Sequence, residues 1–302
     1  NIEDYTESLN YYDALLASSQ DENLIAETRL SKGMIFFNNN NIEEAIDQFL
    51  FVINNYQKTK YFREGLAGLQ SAYTTLGEID KYLNIIEELP EMSLSAFEQD
   101  SLIYSAAFLK FSEANYELAN TTFDKYISKF GGEGVFIDDA KYYNALCLIN
   151  LKDTTSAITL YKDIVKSNAS NNYKEPALVF LARRYYFLNN FTLSNQYYQE
   201  LELIASNNTL SREAIINLMY GNEFLDSNLA LKYANKVIAL DKKDNKLLSK
   251  ASLIVARDEF KSGNYAKSKN IFEKVEKLSE YDEGAEAKYF LSFITYLDDS
   301  LV

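Results

Sequence analysis

The sequence predicts an all-α fold of antiparallel helix hairpins, and three observations carry that prediction. The first is composition, because 302 residues include only 2 Pro, 10 Gly and no Trp, against 24 Tyr and 19 Phe. Helices are therefore rarely interrupted, and the large core residues are rings. The second is a small residue followed four positions later by a bulky one, a pair that recurs about every 37 residues. The third is another small residue, with apolar neighbours at helical spacing, twelve positions upstream.

The recurring pair of a small and a bulky residue predicts one helix of each repeat. Residues i and i+4 share one face of a helix, so the small residue leaves room for a neighbouring helix to approach. The small positions follow one another at intervals of 36 to 38 residues, and Tyr82 is the one large residue among them: Ser8, Ala45, Tyr82, Ala119, Ala157, Ser194, Ala230 and Ser268. Their bulky partners are Tyr12, Phe49, Ile86, Phe123, Tyr161, Tyr198 and Phe272, and Ala234 breaks the series.

A second helix is predicted before each of these, around an upstream small residue. Apolar residues lie three before and four after it, and this spacing is helical. The upstream small residues are Gly33, Ala107, Ala145, Ala182 and Ala256. A short polar turn separates the two helices, for example "NNNN" at 38–41 and "SEAN" at 112–115. Each repeat is thus predicted to be a helix hairpin, with the weakest pattern in the third repeat, around Tyr82.

The hairpin pattern resembles the tetratricopeptide repeat (TPR), a helix-turn-helix unit of 34 residues with small and aromatic residues at fixed positions. The best match is "AETRLSKGMIFFNNNNIEEAIDQFLFVINNYQKT", where Gly33, Phe36, Ala45 and Phe49 fall on those positions. The resemblance implies one right-handed superhelical solenoid over residues 1–302, with seven to eight degenerate, bacterial-type repeats. The period exceeds that of the family, and longer turns at 130–139 and 167–176 are predicted to hold the additional residues.

Both ends of the array are predicted to lack a partner helix. The chain starts in a second helix of a hairpin and finishes in a first helix, over residues 286–297. This leaves Phe290, Leu291, Phe293 and Ile294 without cover, although a terminal repeat needs a polar outer face. We therefore expect either an excerpt from a longer array or a docking site for a partner or a second copy.

Composition and charge exclude several functions. A net charge of -14 disfavours nucleic acid and anionic lipid, because both bind clustered Lys and Arg. The absence of His excludes Ser-His-Asp and Cys-His catalysis and imidazole-bound zinc. The lone Cys147 lies in an apolar run and is predicted to be a buried thiol. Adjacent carboxylates such as Glu43 and Glu44 diverge by about 100° on a helix and do not share a ligand. We predict no metal, no cofactor and no enzymatic activity.

The resemblance implies that the first helices line a concave face that binds a peptide or partner protein. The positions just after the upstream small residue combine apolar side chains with two arginines: Met34, Ser71, Phe108, Leu146, Arg183, Met219 and Arg257. Such a face would bind an apolar segment carrying carboxylates. The predicted partner-binding residues are Tyr104, Phe108, Arg183, Tyr186, Met219 and Arg257. The alternative is that Phe108, Leu146 and Met219 belong to the core.

Three other functions stay open at this point. The first is a carbohydrate-binding platform, in which Tyr would replace the Trp that sugar faces usually stack on. The second is a structural component that self-assembles through its terminal helices, and the third is an enzyme with an acidic metal site. The resemblance to bacterial arrays of the cell envelope favours the periplasm over the cytoplasm.

Overall fold

The described part of the chain is a succession of helices. The computed structural model describes residues 2–89, 94–241, 243–279 and 282–300, with the side chains of residues 5–297 in those ranges. These residues form sixteen α-helices and one 3-10 helix, Gly131–Glu133, without a strand. The helices are α1 Ile2–Ser18, α2 Glu22–Asn38, α3 Ile42–Asn55, α4 Tyr61–Leu76, α5 Ile79–Glu87, α6 Ala96–Ser112, α7 Tyr116–Phe130, α8 Ile137–Asn150, α9 Thr154–Lys166, α10 Asn171–Phe187, α11 Phe191–Ile204, α12 Asn208–Asn222, α13 Ser227–Leu240, α14 Asn245–Lys261, α15 Tyr265–Leu278 and α16 Asp282–Ser300.

From α1 to α8 and from α10 to α16, each helix packs against the next one, as a tandem array of hairpins requires. The chain divides into two compact units, one up to Leu160 and one from Tyr161. In the first unit the hairpins are α2/α3, α4/α5 and α6/α7. First helices of the first unit also contact one another, in the pairs α2/α4, α4/α6 and α6/α8. In the second unit the hairpins are α10/α11, α12/α13 and α14/α15, and α14 contacts α16. The predicted all-α fold of TPR-like helix hairpins is confirmed.

The small residues allow the close helix approaches that the sequence predicts. A Cβ atom at either Gly33 or Gly68 would come within 2.6 Å of the Phe49 ring, so this ring lies directly beneath both first helices. In the second unit the Ser194 hydroxyl donates to the Ala182 carbonyl at 3.0 Å, which joins the two small positions of one hairpin. Phe49 and both of these small residues have no exposed surface. The backbones therefore meet where the side chains are smallest.

The five short hairpin turns predicted from sequence all fall where the sequence places them. Five turns, at residues 39–41, 113–115, 151–153, 188–190 and 262–264, have three residues each, and each contains a residue with positive φ. In the third repeat, where the pattern is weakest, α5 has only nine residues. It nevertheless buries Ile79, Tyr82, Leu83 and Ile86, so the hairpin forms even with a ring at the small position.

Two predictions about turns and ends need correction. The long turn expected at 167–176 spans only 167–170, because α10 begins at Asn171 and contains Pro176. Pro176 is the sixth residue of α10, so the helix continues through it although proline lacks the N–H that would bond the carbonyl four residues earlier. In α16, Ile294 is 1% exposed, and Phe290 and Leu291 pack on the core formed with α14 and α15. Phe293, which is 41% exposed, does lack cover as predicted, and the other exposed rings of α16 are Tyr289 and Tyr296.

Candidate functional site

The predicted partner-binding residues lie on four first helices, in two separate sets. Tyr104 and Phe108 lie on α6 in the first unit. Arg183 and Tyr186 lie on α10, Met219 on α12 and Arg257 on α14, all in the second unit. The two sets differ in chemistry, since the first is aromatic and the second contains the arginines. We call the surface made by α2, α4, α6 and α8 the first-unit face, and that made by α10, α12, α14 and α16 the second-unit face.

Tyr104 and Phe108 belong to a cluster of rings in which Phe108 reaches the surface. Tyr104 stacks on Phe136 with ring centroids 4.6 Å apart. Phe108 meets Tyr143 of α8 edge to face at 4.9 Å. Its side chain is 37% exposed, whereas Tyr104 is half-buried. Of this pair, Phe108 is the ring that a partner could contact, and Tyr104 supports the packing beneath it.

A buried carboxylate holds the turn that supplies Phe136. Asp100 accepts a hydrogen bond of 2.5 Å from the Tyr126 hydroxyl and one of 2.8 Å from the backbone N–H of Val135. The N–H of Phe136 donates in turn to the Tyr126 oxygen at 2.9 Å. Burial and the Asp100 carboxylate raise the pKa of Tyr126, so the phenol stays protonated and can donate. This network fixes the turn between α7 and α8 and thus places the Phe136 ring against Tyr104.

Arg183, predicted as an anchor for a partner, already binds a carboxylate of the neighbouring first helix. Its Nε and Nη2 atoms donate to the two carboxylate oxygens of Glu213 on α12, at 2.7 and 2.6 Å. The Tyr198 hydroxyl donates to the same carboxylate at 3.3 Å. The hydrogen bond from Arg183 lowers the pKa of Glu213. Although the Arg183 side chain is 57% exposed, the two donor atoms that would bind a carboxylate of a partner are already bonded to Glu213.

Arg257 pairs with two carboxylates and is less exposed than Arg183. Its Nη1 atom lies 3.0 Å from Glu223, and its Nε atom donates to Glu286 of α16 at 2.5 Å. Glu223 also pairs with Lys250 at 2.9 Å. The hydrogen bond from Arg257 to Glu286 raises the pKa of the guanidinium above its ordinary value. The two predicted arginines therefore join consecutive first helices within the second unit.

The remaining two predicted residues also contribute mainly to packing. Met219 has no exposed surface, so it cannot touch a partner unless the core opens. The buried residues Ala214, Ile215, Leu218 and Met219 of α12 repeat the spacing of Ala177, Leu178, Leu181 and Ala182 on α10, so Met219 occupies the buried small-residue position and not the one after it. Tyr186 is half-buried and meets Phe191 edge to face at 5.4 Å. The placement of Met219 on an accessible surface is therefore wrong, and the alternative assignment to the core applies to it.

The first-unit face contains a cavity that the sequence prediction did not single out. It lies between α2 and α4, has a volume of about 340 Å³, and is lined by Leu30, Met34, Phe37, Phe49, Glu64, Ala67, Gly68 and Ser71. Met34 is 46% exposed at its edge. Small side chains on α4 leave the space open. The sequence feature from which the cavity could have been predicted is the stretch "LAGLQS" at 66–71.

A second cavity, of about 370 Å³, adjoins the next helix pair of the first unit. Gln70 of α4, Tyr82 of α5 and Phe97 and Leu102 of α6 line it together with serine side chains. Phe97 is 60% exposed. Glu98, at the same site, accepts hydrogen bonds from Ser95 and closes the capping box of α6, so this carboxylate is already used.

Groups that could support chemistry are scarce in the described ranges. No cluster of three or more Cys, Asp or Glu side chains with the geometry to hold a metal occurs among the residues that the structure describes. Cys147 has no exposed surface, so the prediction of a buried thiol is confirmed, and this burial raises the pKa of the thiol to about 12. Within the same ranges, no helix combines the length and apolar character needed to cross a bilayer.

Comparisons with known proteins return structures of TPR proteins. No protein-family model matches the chain, and no curated protein matches it. The carboxy-terminal part of a TPR repeat-containing protein from Cytophaga hutchinsonii is 14% identical over 85% of this chain and 98% of its own, with a TM-score of 0.40. The TPR2AB domain of yeast Sti1, in complex with pHSP90, is 14% identical over 90% and 98%, with a TM-score of 0.35. A TPR protein from Parabacteroides merdae is 14% identical over 89% and 98%, with a TM-score of 0.31. Similarities of this strength do not identify a partner or a binding surface of this chain.

Proposed function

We propose that this protein is a non-enzymatic scaffold that binds a peptide or partner protein on its first-unit face. The observation that carries the proposal is the row of exposed apolar side chains on the first helices there. Met34 is 46% exposed, Phe97 60% and Phe108 37%. Rings and methionine are enriched in binding surfaces because they provide large contact areas with few polar groups to desolvate.

The second-unit face supports the proposal by contrast. Its arginines are the residues expected to hold a carboxylate of a partner, and they already have carboxylates of their own in Glu213, Glu223 and Glu286. A partner would have to displace these before it gained an ion pair. The burial of rings on the first-unit face carries no such cost. We therefore assign binding to the first unit.

The test is capture of partner proteins from a lysate of the source organism by the intact chain and by two variants. Phe108→Glu places a charge on the first-unit face, and Thr121→Glu places the same charge on an exposed position of α7. Circular dichroism and thermal melting identify the variants that keep the fold. We expect one or more specific partners to be lost with Phe108→Glu and kept with Thr121→Glu. Phe97→Glu, at a more exposed ring, should reproduce the loss. An unchanged partner list for both ring variants contradicts the proposal.

Self-association is a second candidate, supported by the exposed rings of α16. Tyr289 is 66% exposed, Phe293 41% and Tyr296 67%, and their spacing places them along one side of the helix. A second copy would bury this apolar surface. Sedimentation analysis over a range of concentrations should show a rise in mass that Tyr289→Ser/Tyr296→Ser abolishes. A constant monomer mass contradicts this role.

A further inference from the structure

We infer that the cavity between α2 and α4 takes one apolar side chain of a bound peptide, and that a basic residue beside it pairs with Glu64. The inference presupposes that the first-unit face binds peptides, as proposed above. It goes further in naming the kind of peptide: an apolar residue flanked by Lys or Arg.

The shape of the cavity suits an apolar side chain. Its floor is the Phe49 ring, which is held beneath Gly33 and Gly68 by the close approach of both backbones. Leu30 and Met34 form the α2 side. Its volume of about 340 Å³ lies near the lower end of the roughly 300–1,000 Å³ of ligand pockets. That space is sufficient for one aliphatic or aromatic side chain together with adjoining peptide backbone.

The charges at the cavity favour a basic flanking residue. Glu64 is the ionisable residue that lines it, and its side chain is exposed. Glu27, on the facing helix, accepts a hydrogen bond of 2.6 Å from the Tyr61 hydroxyl. Both carboxylates attract the ammonium of Lys60, which lies 4.7 Å from the centre of the Tyr61 ring. These two carboxylates thus already attract one cation, and Glu64 is the charged side chain at the cavity itself.

The net charge of the whole chain also favours a basic peptide. Its net charge of -14 attracts a basic peptide during encounter and repels an acidic one. Arg63, next to Glu64 in sequence, does not line the cavity. A peptide with acidic flanks would place like charges beside Glu64. We therefore choose a basic and apolar peptide over the acidic and apolar one that the arginine positions predicted from sequence.

Selection of short random peptides displayed on phage, with the intact chain as bait, tests the inference. The enriched peptides should contain Leu, Ile, Met or Phe within a few residues of Lys or Arg. Their affinities are then measured by fluorescence polarisation for the parent chain, for Ser71→Trp, which fills the cavity from an exposed position, and for Glu64→Lys. Glu44→Lys is the matched control, because it makes the same charge change on the exposed side of α3.

We expect Ser71→Trp to weaken binding by roughly tenfold or more, the loss that results when an apolar side chain is no longer buried. Glu64→Lys should weaken it by roughly two- to fivefold, as is typical of an exposed ion pair, and Glu44→Lys should leave it unchanged. Enrichment of acidic peptides, unaltered affinity for Ser71→Trp, or no enrichment at all overturns the inference. If Phe108→Glu still abolishes capture of a partner in that case, the proposed function stands and only the cavity assignment fails.

Discussion

The two units differ in the residues that lie between neighbouring first helices. In the first unit, Gly68, Ala67 and Ser71 of α4 leave a cavity beside α2, and rings of α6 remain partly exposed. In the second unit, Arg183 and Arg257 reach across to carboxylates of the neighbouring first helices. Repeats of similar length can therefore have either a cavity or ion pairs between neighbouring first helices. The choice depends on few side chains and leaves the hairpin itself unaltered.

The largest expected effect comes from removing the floor of the cavity. Phe49→Ala deletes a fully buried ring that lies beneath two glycines, and such changes cost about 3–5 kcal/mol of unfolding free energy. Urea denaturation should show this loss, whereas Phe97→Ala, at a ring 60% exposed, should change stability by much less. Equal losses for the two variants would show that Phe49 does not hold α2 and α4 together.

A smaller effect is expected from opening the second-unit face. Arg257→Met keeps most of the apolar stem but leaves Glu223 and Glu286 without this guanidinium. Because these carboxylates are only partly buried and Glu223 keeps Lys250, we expect a loss of about 1–2 kcal/mol, measured by urea denaturation. No loss, or a gain, would mean that this face is held by packing alone.

The smallest effect is expected for Arg183→Met, and it should depend on pH. The side chain is 57% exposed, so its pair with Glu213 contributes at most about 1 kcal/mol. Because the pKa of Glu213 is lower in the folded state than its ordinary value of 4.5, the stabilisation is complete above pH 4.5 and declines as the pH falls through the folded pKa. Stability curves of the parent and the variant should therefore converge below pH 4.5. A constant difference at all pH values would contradict this account.

Much of the fold could be predicted from sequence because small residues and rings recur at helical spacing. The turns at 113–115 and 262–264 and the buried partners Phe49, Phe123, Tyr198 and Phe272 could be located from that spacing alone. The polar stretch before Pro176 suggested a turn, but backbone bonding at Ser170 starts α10 early. Composition does not reveal which polar residues begin a helix.

The site was harder to predict, because contacts between repeats determine which side chains are available. The sequence suggested that Arg183 is available to bind a partner. The structure shows that it binds Glu213, which lies thirty residues later in the chain. Counting from Ala230 places Met219 on the predicted row, yet the burial pattern of α12 shows that it corresponds to Ala182, one position earlier in the repeat, where the side chain is buried. The cavity results from small residues whose side chains do not fill a space, a feature that a search for functional groups overlooks.

The most direct test of binding on the first unit is photo-cross-linking of a partner in a lysate of the source organism. A photoreactive phenylalanine analogue is placed at Phe108 in one sample and at Arg183 in another, both at exposed positions of first helices. We expect the first protein to form a specific cross-linked product and the second to form none. A product from position 183 without one from position 108 would contradict the assignment of binding to the first-unit face.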